Sequence, residues 1–262
     1  MSNLLVQTAY AAGEETISIK LAPYVVGHIG SLPITSTLLM SWVAMFVLAA
    51  LAIWVGRNPK LIPGKLQSIF ELVVGGVFDY IKDVLQSETM AKKYFPIILT
   101  VFLYILFMNW LGLFPGVSSI GIYQGHGEES HFVPLFAPGA TDLNITLAFT
   151  IVVFVVIEMA GILALGTWRY LGKFLNFSSP LNFAVGIIEL FSELARLISF
   201  SFRLFGNIFA GKTLLLVVMF LATPYIVPVP ILAYELGVGF IQAFIFAILT
   251  LYFIKIAVEE PH

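Results

Sequence analysis

The sequence predicts an all-α membrane protein with about five transmembrane helices and one amphipathic helix at the membrane interface. Of the 262 residues, 60% are hydrophobic and only 11% are charged. A soluble domain carries about 25% charged residues, so this surface is suited to lipid rather than water. Several apolar runs reach about 20 residues, the length of helix that crosses a hydrocarbon core of about 30 Å. We expect an external N-terminal segment, 1–33, and one polytopic membrane domain, 34–262.

Composition also excludes several classes of function. The formal net charge of −2 offers no basic surface for a nucleic acid. There are no cysteines, which excludes disulfides, thiolate metal sites and thiol nucleophiles. The four histidines do not cluster at metal-ligand spacing, and we predict neither a metal nor another cofactor. They are His28, His126, His131 and His262.

The first predicted span covers about 34–55, an apolar run without a charged residue, and it ends at Arg57. The segment at about 61–87 is different, because four charged residues interrupt apolar residues at helical spacing. This pattern predicts an amphipathic helix along the interface or, alternatively, a polar-edged connector. These four, which follow Lys65 near the start of the segment, are Glu71, Asp79, Lys82 and Asp83.

The second and third spans are predicted at about 95–114 and 143–165, on either side of a polar loop. Glu158 lies inside the third span, either as an ion-path residue or as a buried protonated acid. Asp142 and Asn144 open the same span, where they can cap the helix or form the rim of an intake funnel.

Two long segments complete the chain, at about 180–221 and 231–258, with a proline-rich turn between them. A helix of about 40 residues is about 60 Å long, which is twice the thickness of the hydrocarbon core. We therefore expect a tilted, membrane-embedded hairpin. The first of its helices holds five charged residues: Glu189, Glu193, Arg196, Arg203 and Lys212.

The distribution of basic residues predicts the orientation. Six lie between the first two spans, whereas the N-terminal segment has only Lys20 and the loop at 116–140 has none. The N-terminus is therefore expected outside and the C-terminus in the cytoplasm. This orientation, without a recognisable presequence, favours a bacterial plasma (inner) membrane.

Arg203 is the sharpest candidate for chemistry. At about 100° per residue, Ser199, Glu189 and Asn207 lie within about 40° of it on a helical projection. Small residues such as Ala210 share this stripe and let another helix approach closely. A guanidinium stays charged when desolvated, so it can attract a mobile carboxylate on a neighbour. The alternative is a fixed ion pair within the chain, to Glu235 or Glu158.

Polar residues also align on the last helix. Glu235, Gly239 and Gln242 lie on one line, which can line a water-filled path or serve a hydrogen bond between helices. Lys212 lies about 180° from Arg203 on the projection, so it is expected to face elsewhere, toward Glu235 across the hairpin.

Two stretches resemble the signatures of the a subunit family of F-type ATP synthases. They are 201–211, containing Arg203 and Asn207, and 242–250, beginning at Gln242. Weaker matches occur at 63–71, 109–115 and 138–144, in the order of the family.

The resemblance implies a stator whose two long helices pack against a ring of c subunits. Arg203 matches the essential arginine that faces the ring carboxylate, with Asn207 and Gln242 beside it. Glu189 and Ser199 match the cytoplasmic side of the ion path, and Asp142 and Asn144 match the external side. Two offset half-channels then couple the flow of protons or sodium ions to rotation.

The resemblance also implies partners: the c ring, the b subunits of the peripheral stalk, the F1 head indirectly, and membrane lipid. The subunit would have no active site of its own. The sequence departs from the family at Lys212 and Glu235, where a Glu/His pair is common, and the loop at 121–131 has no counterpart. The alternatives are a secondary transporter that binds an anionic solute at Arg203 and a structural scaffold. The absence of internal repeats argues against the transporter.

Overall fold

The computed structural model describes residues 22–57, 64–114, 116–124, 131–174, 179–221 and 228–259. Within them the chain forms seven α-helices and two short β-hairpins. The helices are α1 Ser36–Arg57, α2 Lys65–Leu85, α3 Glu88–Leu113, α4 Leu143–Leu165, α5 Thr167–Phe174, α6 Pro180–Leu221 and α7 Pro228–Val258.

The predicted class, an all-α membrane protein, is confirmed. Four helices of the described residues are long and apolar enough to cross a membrane: α1, α3, α4 and most of α7. The fifth predicted span, α6, is a single helix of 42 residues. Helix α6 contains five charged residues, more than any of the four helices α1, α3, α4 and α7.

Helix bounds follow local chemistry. Both α4 and α6 begin and end where the sequence predicts. Helix α3 begins earlier than predicted, because the Ser87 hydroxyl caps it by accepting a hydrogen bond from the Met90 N–H at 3.3 Å. Helix α2 ends at Gln86, which adopts a left-handed conformation with φ of 49°. The predicted amphipathic segment is thus a helix rather than an irregular connector.

The core of the bundle lies among α3, α4, α6 and α7. Helix α7 packs along α3 and α4, and α6 packs against both α4 and α7. Phe246 of α7 is buried between the rings of Phe149 and Phe200, whose centroids lie 5.7 and 4.9 Å away. This apolar packing holds α6 and α7 together as the predicted hairpin.

The sequence analysis did not anticipate the β-hairpins or α5. Strands β1 Val25–Ile29 and β2 Leu32–Thr35 pair antiparallel, as do β3 Gly121–Gln124 and β4 His131–Pro134. The two hairpins touch, because the Gln124 side-chain amide donates to the Val26 carbonyl at 3.0 Å. They flank the helices and do not change the fold class. His126, His262 and most of the predicted interhelical turn lie outside the described residues.

The bundle has two ends that matter for the site. The Asp142 end holds the starts of α1, α4 and α7 and the last turns of α3 and α6. The Glu193 end holds α5, the first half of α6 and the last turns of α4 and α7. Contacts such as Thr37 with Asp142, and Tyr170 with Glu158, define these ends.

Candidate functional site

Arg203 lies on a face of α6 that the other described residues leave uncovered. The stripe that the sequence predicted is exposed at Ser199, Arg203, Asn207 and Ala210. An alanine Cβ at Gly206 would meet no atom within 4 Å. The opposite side of the helix is apolar and buried, at Phe200, Leu204 and Ile208. One side of α6 therefore belongs to the core, and the other is left free for a neighbour.

The guanidinium of Arg203 forms no ion pair with any residue that the structure describes. Its Cζ lies 5.9 Å from the centroid of the Phe200 ring. The two acids considered as fixed partners lie elsewhere, since Glu158 accepts a hydrogen bond from Tyr170 and Glu235 lies beside Gly211. The alternative of a fixed internal ion pair is therefore not supported. An exposed arginine is also unlike the enclosed anion pocket that a solute transporter would need.

Asn207 connects this exposed face to the interior of the hairpin. Its Nδ2 donates to Oε1 of Gln242 at 2.6 Å, and the Gln242 side chain is buried. The Nε2 of Gln242 has no hydrogen-bond partner among the described residues. Nearby, Asn109 of α3 donates to the Gly239 carbonyl at 3.5 Å, and its Oδ1 is likewise buried and unpartnered. Gln242 therefore makes the interhelical hydrogen bond that was one of the two interpretations of its position.

Glu235 lies beside a groove between α6 and α7. The side chain is only 5% exposed, and its Oε1 has no partner in the described part of the chain. An added Cβ at Gly211 would lie 2.6 Å from this oxygen, so glycine makes room for the carboxyl group. The groove has a volume of about 210 Å³. It is lined by Asn207, Ile208, Ala210, Gly211, Leu214, Tyr234, Glu235 and Val238.

Lys212 does not face Glu235 as we expected. No ion pair joins them among the residues described, and Lys212 instead lines a small chamber with Ser36, Thr37 and Thr141. The reason is helical phase: residue 211 faces α7, and residue 212 is turned about 100° further, toward the start of α1.

Asp142 occupies the same end of the bundle and has two partners. Its Oδ1 accepts from the backbone N–H of Asn144 at 2.9 Å, so it caps α4 as one interpretation proposed. Its Oδ2 accepts from the Thr37 hydroxyl at 2.8 Å. The sequence could not reveal Thr37, because the two residues lie far apart in the chain and no local pattern links them. Asn144 contributes its backbone here.

Glu189 belongs to an ion-pair network at the other end. Lys173 of α5 lies 2.7 Å from Glu189 and 3.8 Å from Glu193, and Arg196 lies 2.8 Å from Glu193. Glu193 is buried, and the Arg196 guanidinium stacks 3.9 Å from the centroid of the Phe253 ring. Pairing of this kind offsets the desolvation cost of a buried carboxylate.

Glu158 faces the same region. The Tyr170 hydroxyl donates to its Oε2 at 2.9 Å, and its Oε1 is buried without a partner in the described residues. Burial raises the pKa of Tyr170, so the phenol remains a hydrogen-bond donor. The Tyr170 ring rests on Gly161, where any side chain would collide with it. The sequence analysis missed Tyr170, since a tyrosine near a membrane interface is too common to be distinctive.

The site thus has three parts. Polar groups gather around Asp142 and Lys212 at one end, and around Glu158 and Glu193 at the other. Arg203 stands between them on the uncovered face of α6. A charged group in a bilayer is costly unless it meets a partner or water, so this arrangement is typical of an ion pathway.

The comparisons with known proteins decide the family. A family model described as "ATP synthase A chain" matches residues 38–255, which include Arg203, Asn207 and Gln242. The chain belongs to the ATP synthase A chain family.

Curated relatives agree with the family model. The chain is 30% identical over 232 residues to ATP synthase subunit a of Moorella thermoacetica, covering 88% of this chain and 94% of that protein. It is 34% identical over 225 residues to subunit a of Desulfotalea psychrophila, covering 85% and 84%. It is 36% identical over 211 residues to subunit a of Campylobacter jejuni, covering 79% and 83%. The residues matched by the family model, 38–255, make up most of the chain.

As an ATP synthase A chain, the protein is the ion-conducting stator subunit of an F0 sector. It is a multi-pass membrane protein of a bacterial ATP synthase. The transporter and scaffold alternatives are set aside by this result.

Proposed function

We propose that Arg203 faces the ion-carrying carboxylates of a turning ring of c subunits and separates two offset half-channels. The observation that carries the proposal is the uncovered stripe of α6, where an unpaired guanidinium is flanked by Ser199, Asn207 and Ala210. Small and polar side chains let another helix approach to within van der Waals contact. A carboxylate carried by that helix would then pair with the Arg203 guanidinium.

The external half-channel runs from the Asp142 end toward Asn207. Asp142, Asn144 and Lys212 surround its mouth, and Glu235 lies in the groove that opens beside Asn207. Ions entering from outside would pass this groove and reach the ring carboxylate next to Arg203. Gln242 holds the Asn207 amide at the inner end of the groove.

The cytoplasmic half-channel runs from Ser199 to the Glu193 end. Ser199 is exposed on the same face as Arg203, and Glu189 lies further along α6. Glu158 belongs to this half as well, beside Tyr170. The network with Lys173 keeps Glu189 oriented at the cytoplasmic mouth.

The two half-channels must not connect directly, or ions would leak without turning the ring. Between them the hairpin interior is packed with apolar side chains, of which Leu204 and Phe246 are almost wholly buried. Arg203 adds an electrostatic barrier, because its guanidinium repels a cation that tries to pass without a carboxylate. The ion therefore travels around with the ring, and its flow is coupled to rotation and ATP synthesis.

This arrangement also sets the topology and partners that we propose. The Asp142 end and the segment 1–33 face outward, and the Glu193 end and the C-terminus face the cytoplasm of a bacterial plasma (inner) membrane. The partners are the c ring at the α6 stripe, the b subunits of the peripheral stalk, and the F1 head through them.

The test is substitution of Arg203 in the assembled complex. In Arg203→Ala we expect loss of ATP synthesis driven by an ion gradient, with the c ring still copurifying. The matched control is Arg57→Ala at the exposed end of α1, which should keep wild-type coupling. Coupled synthesis retained in an assembled Arg203→Ala complex would overturn the proposal.

A further inference from the structure

A small chamber lies at the Asp142 end, between the first turn of α1 and the last third of α6. Its volume is about 20 Å³. A cavity of about 10–15 Å³ already holds one water molecule. The lining residues are Ala22, Pro23, Tyr24, Ser36, Thr37, Ala137, Thr141, Phe209 and Lys212.

The buried hydroxyl group of Ser36 indicates that the chamber binds a ligand. The residue is 0% exposed, it lines the chamber, and its Oγ has no hydrogen-bond partner among the described residues. Its backbone N–H is used separately, in a 2.9 Å bond to the Tyr24 carbonyl. Buried hydroxyls are almost always bonded to protein or to ordered water, so an orphan facing a cavity points to water.

The hydroxyl groups of Thr37 and Thr141 already donate hydrogen bonds to other groups. Thr141 donates to the Pro138 carbonyl at 2.7 Å, and Thr37 donates to Asp142 at 2.8 Å. Because the Thr37 hydroxyl already donates to Asp142, Thr35 must be the donor in the 2.9 Å contact between Thr35 and Thr37. Thr37 and Thr141 therefore present only lone pairs to the chamber.

Lys212 supplies the missing donor. Its ammonium group carries three N–H bonds and no lone pair, and it forms no ion pair within the described residues. A water molecule can accept a hydrogen bond from Lys212 and donate to the lone pairs of Ser36 and Thr37, which both line the chamber. An anion would suit Lys212 but would be repelled by the lone pairs of both threonines and by the nearby Asp142 carboxylate.

We propose that this chamber binds a single water molecule that joins Lys212 to the hydroxyl groups of Ser36 and Thr37, and through Thr37 to Asp142. The start of α1 is thereby a wall of the external half-channel, and Ser36 is one of its lining residues. The inference rests on the proposed function, which it extends by naming where the path opens and what fills it.

Silver ion labelling tests the chamber directly. The chain contains no cysteine, so Ser36→Cys introduces its single thiol. In sealed vesicles holding the whole synthase, with the Asp142 end outward, Ag⁺ added outside should lower ATP synthesis several-fold in Ser36→Cys. Wild type and Ser68→Cys, whose side chain lies on the exposed face of α2, should be unaffected. A bulky thiosulfonate reagent should not inhibit Ser36→Cys, because a chamber of about 20 Å³ is too small for it.

Three results would overturn the inference: no effect of Ag⁺, inhibition only when Ag⁺ is inside, or equal inhibition by the bulky reagent. If Ser36→Cys does not assemble, Thr141→Cys on the opposite wall is labelled instead, with the same expected pattern. These results are independent of Arg203→Ala. If Ag⁺ has no effect on Ser36→Cys while Arg203→Ala loses coupled ATP synthesis, the inference about the chamber is wrong and the proposed function stands. If Arg203→Ala keeps coupled ATP synthesis, the proposed function itself is wrong.

Discussion

The amide of Asn207 on α6 and the amide of Gln242 on α7 are joined by a 2.6 Å hydrogen bond, although one side chain is exposed and the other is buried. The bond fixes the Asn207 side chain one helical turn from Arg203, where a ring carboxylate would pass. It also gives the buried Gln242 its only described partner, so each residue depends on the other for its orientation.

This mutual dependence predicts non-additive substitutions. Asn207→Leu and Gln242→Met should each lower gradient-driven ATP synthesis by about fivefold, since a net hydrogen bond is worth about 1 kcal/mol. The double variant should be little worse than either single variant, because both remove the same bond. A cycle measured on assembled complexes checks this, with Phe244→Leu on the exposed side of α7 as the control. Fully multiplicative losses would show that the two amides act independently.

Gly211 leads to a second prediction. In Gly211→Ala the new Cβ would lie 2.6 Å from Oε1 of Glu235, so the carboxyl group must move out of its place beside the groove. We expect a several-fold loss of ion-driven synthesis with normal assembly. Gly237→Ala is the matched control, because its Cβ would meet no atom within 4 Å. Unchanged synthesis in Gly211→Ala would mean that the position of Glu235 is not critical.

The helices of this protein could be predicted from sequence because each depends on local information. The apolar runs of α4 and α6 end at charged, glycine or proline residues, and the stripe through Arg203 follows from helical periodicity alone. The side of α6 that is free, and the side that is buried, therefore follow from the pattern of Phe200, Leu204 and Ile208.

The pairings between distant segments could not be predicted in this way. Thr37 meets Asp142, and Lys212 comes to line the same chamber as Ser36, only after α1, α4 and α6 have packed together. The expected approach of Lys212 to Glu235 was wrong because adjacent residues of a helix point about 100° apart, and Gly211 already occupies the side that faces Glu235. Helix α5 was missed because it has only eight residues, too few for a periodic pattern to distinguish a helix from a loop.

Substitution of Glu193 should lower the thermal stability of the complex. Glu193 is buried between Lys173 and Arg196, and Glu193→Gln leaves those two cations close together without their counter-ion. Breaking a buried ion pair costs about 3–5 kcal/mol, less here because Arg196 is partly exposed. The temperature of inactivation of the purified complex should fall. Glu259→Gln is the control, since its pair with Lys255 is a surface contact worth about 0–1 kcal/mol. Equal melting temperatures for the two variants would contradict this assignment.

We expect the hydroxyl group of Tyr170 to stabilise the protein through its hydrogen bond to Glu158. Tyr170→Phe keeps the ring on Gly161 but removes the hydrogen bond to Glu158, leaving a half-buried carboxyl group without its described partner. The cost should be about 1–3 kcal/mol in free energy of unfolding. Thermal unfolding of the purified complex measures it. Tyr123→Phe, on an exposed strand, should be neutral, and a similarly neutral Tyr170→Phe would show that the phenol does not support Glu158.

The uncovered stripe of α6 has a consequence for biogenesis. A newly inserted copy without its ring presents a guanidinium, a hydroxyl and an amide toward acyl chains, at a depth where hydration is scarce. Such an orphan is poorly solvated by the bilayer and is open to membrane proteases. Production of this subunit and of the ring should therefore be matched in time, and a cell that lacks the ring should not accumulate the free chain.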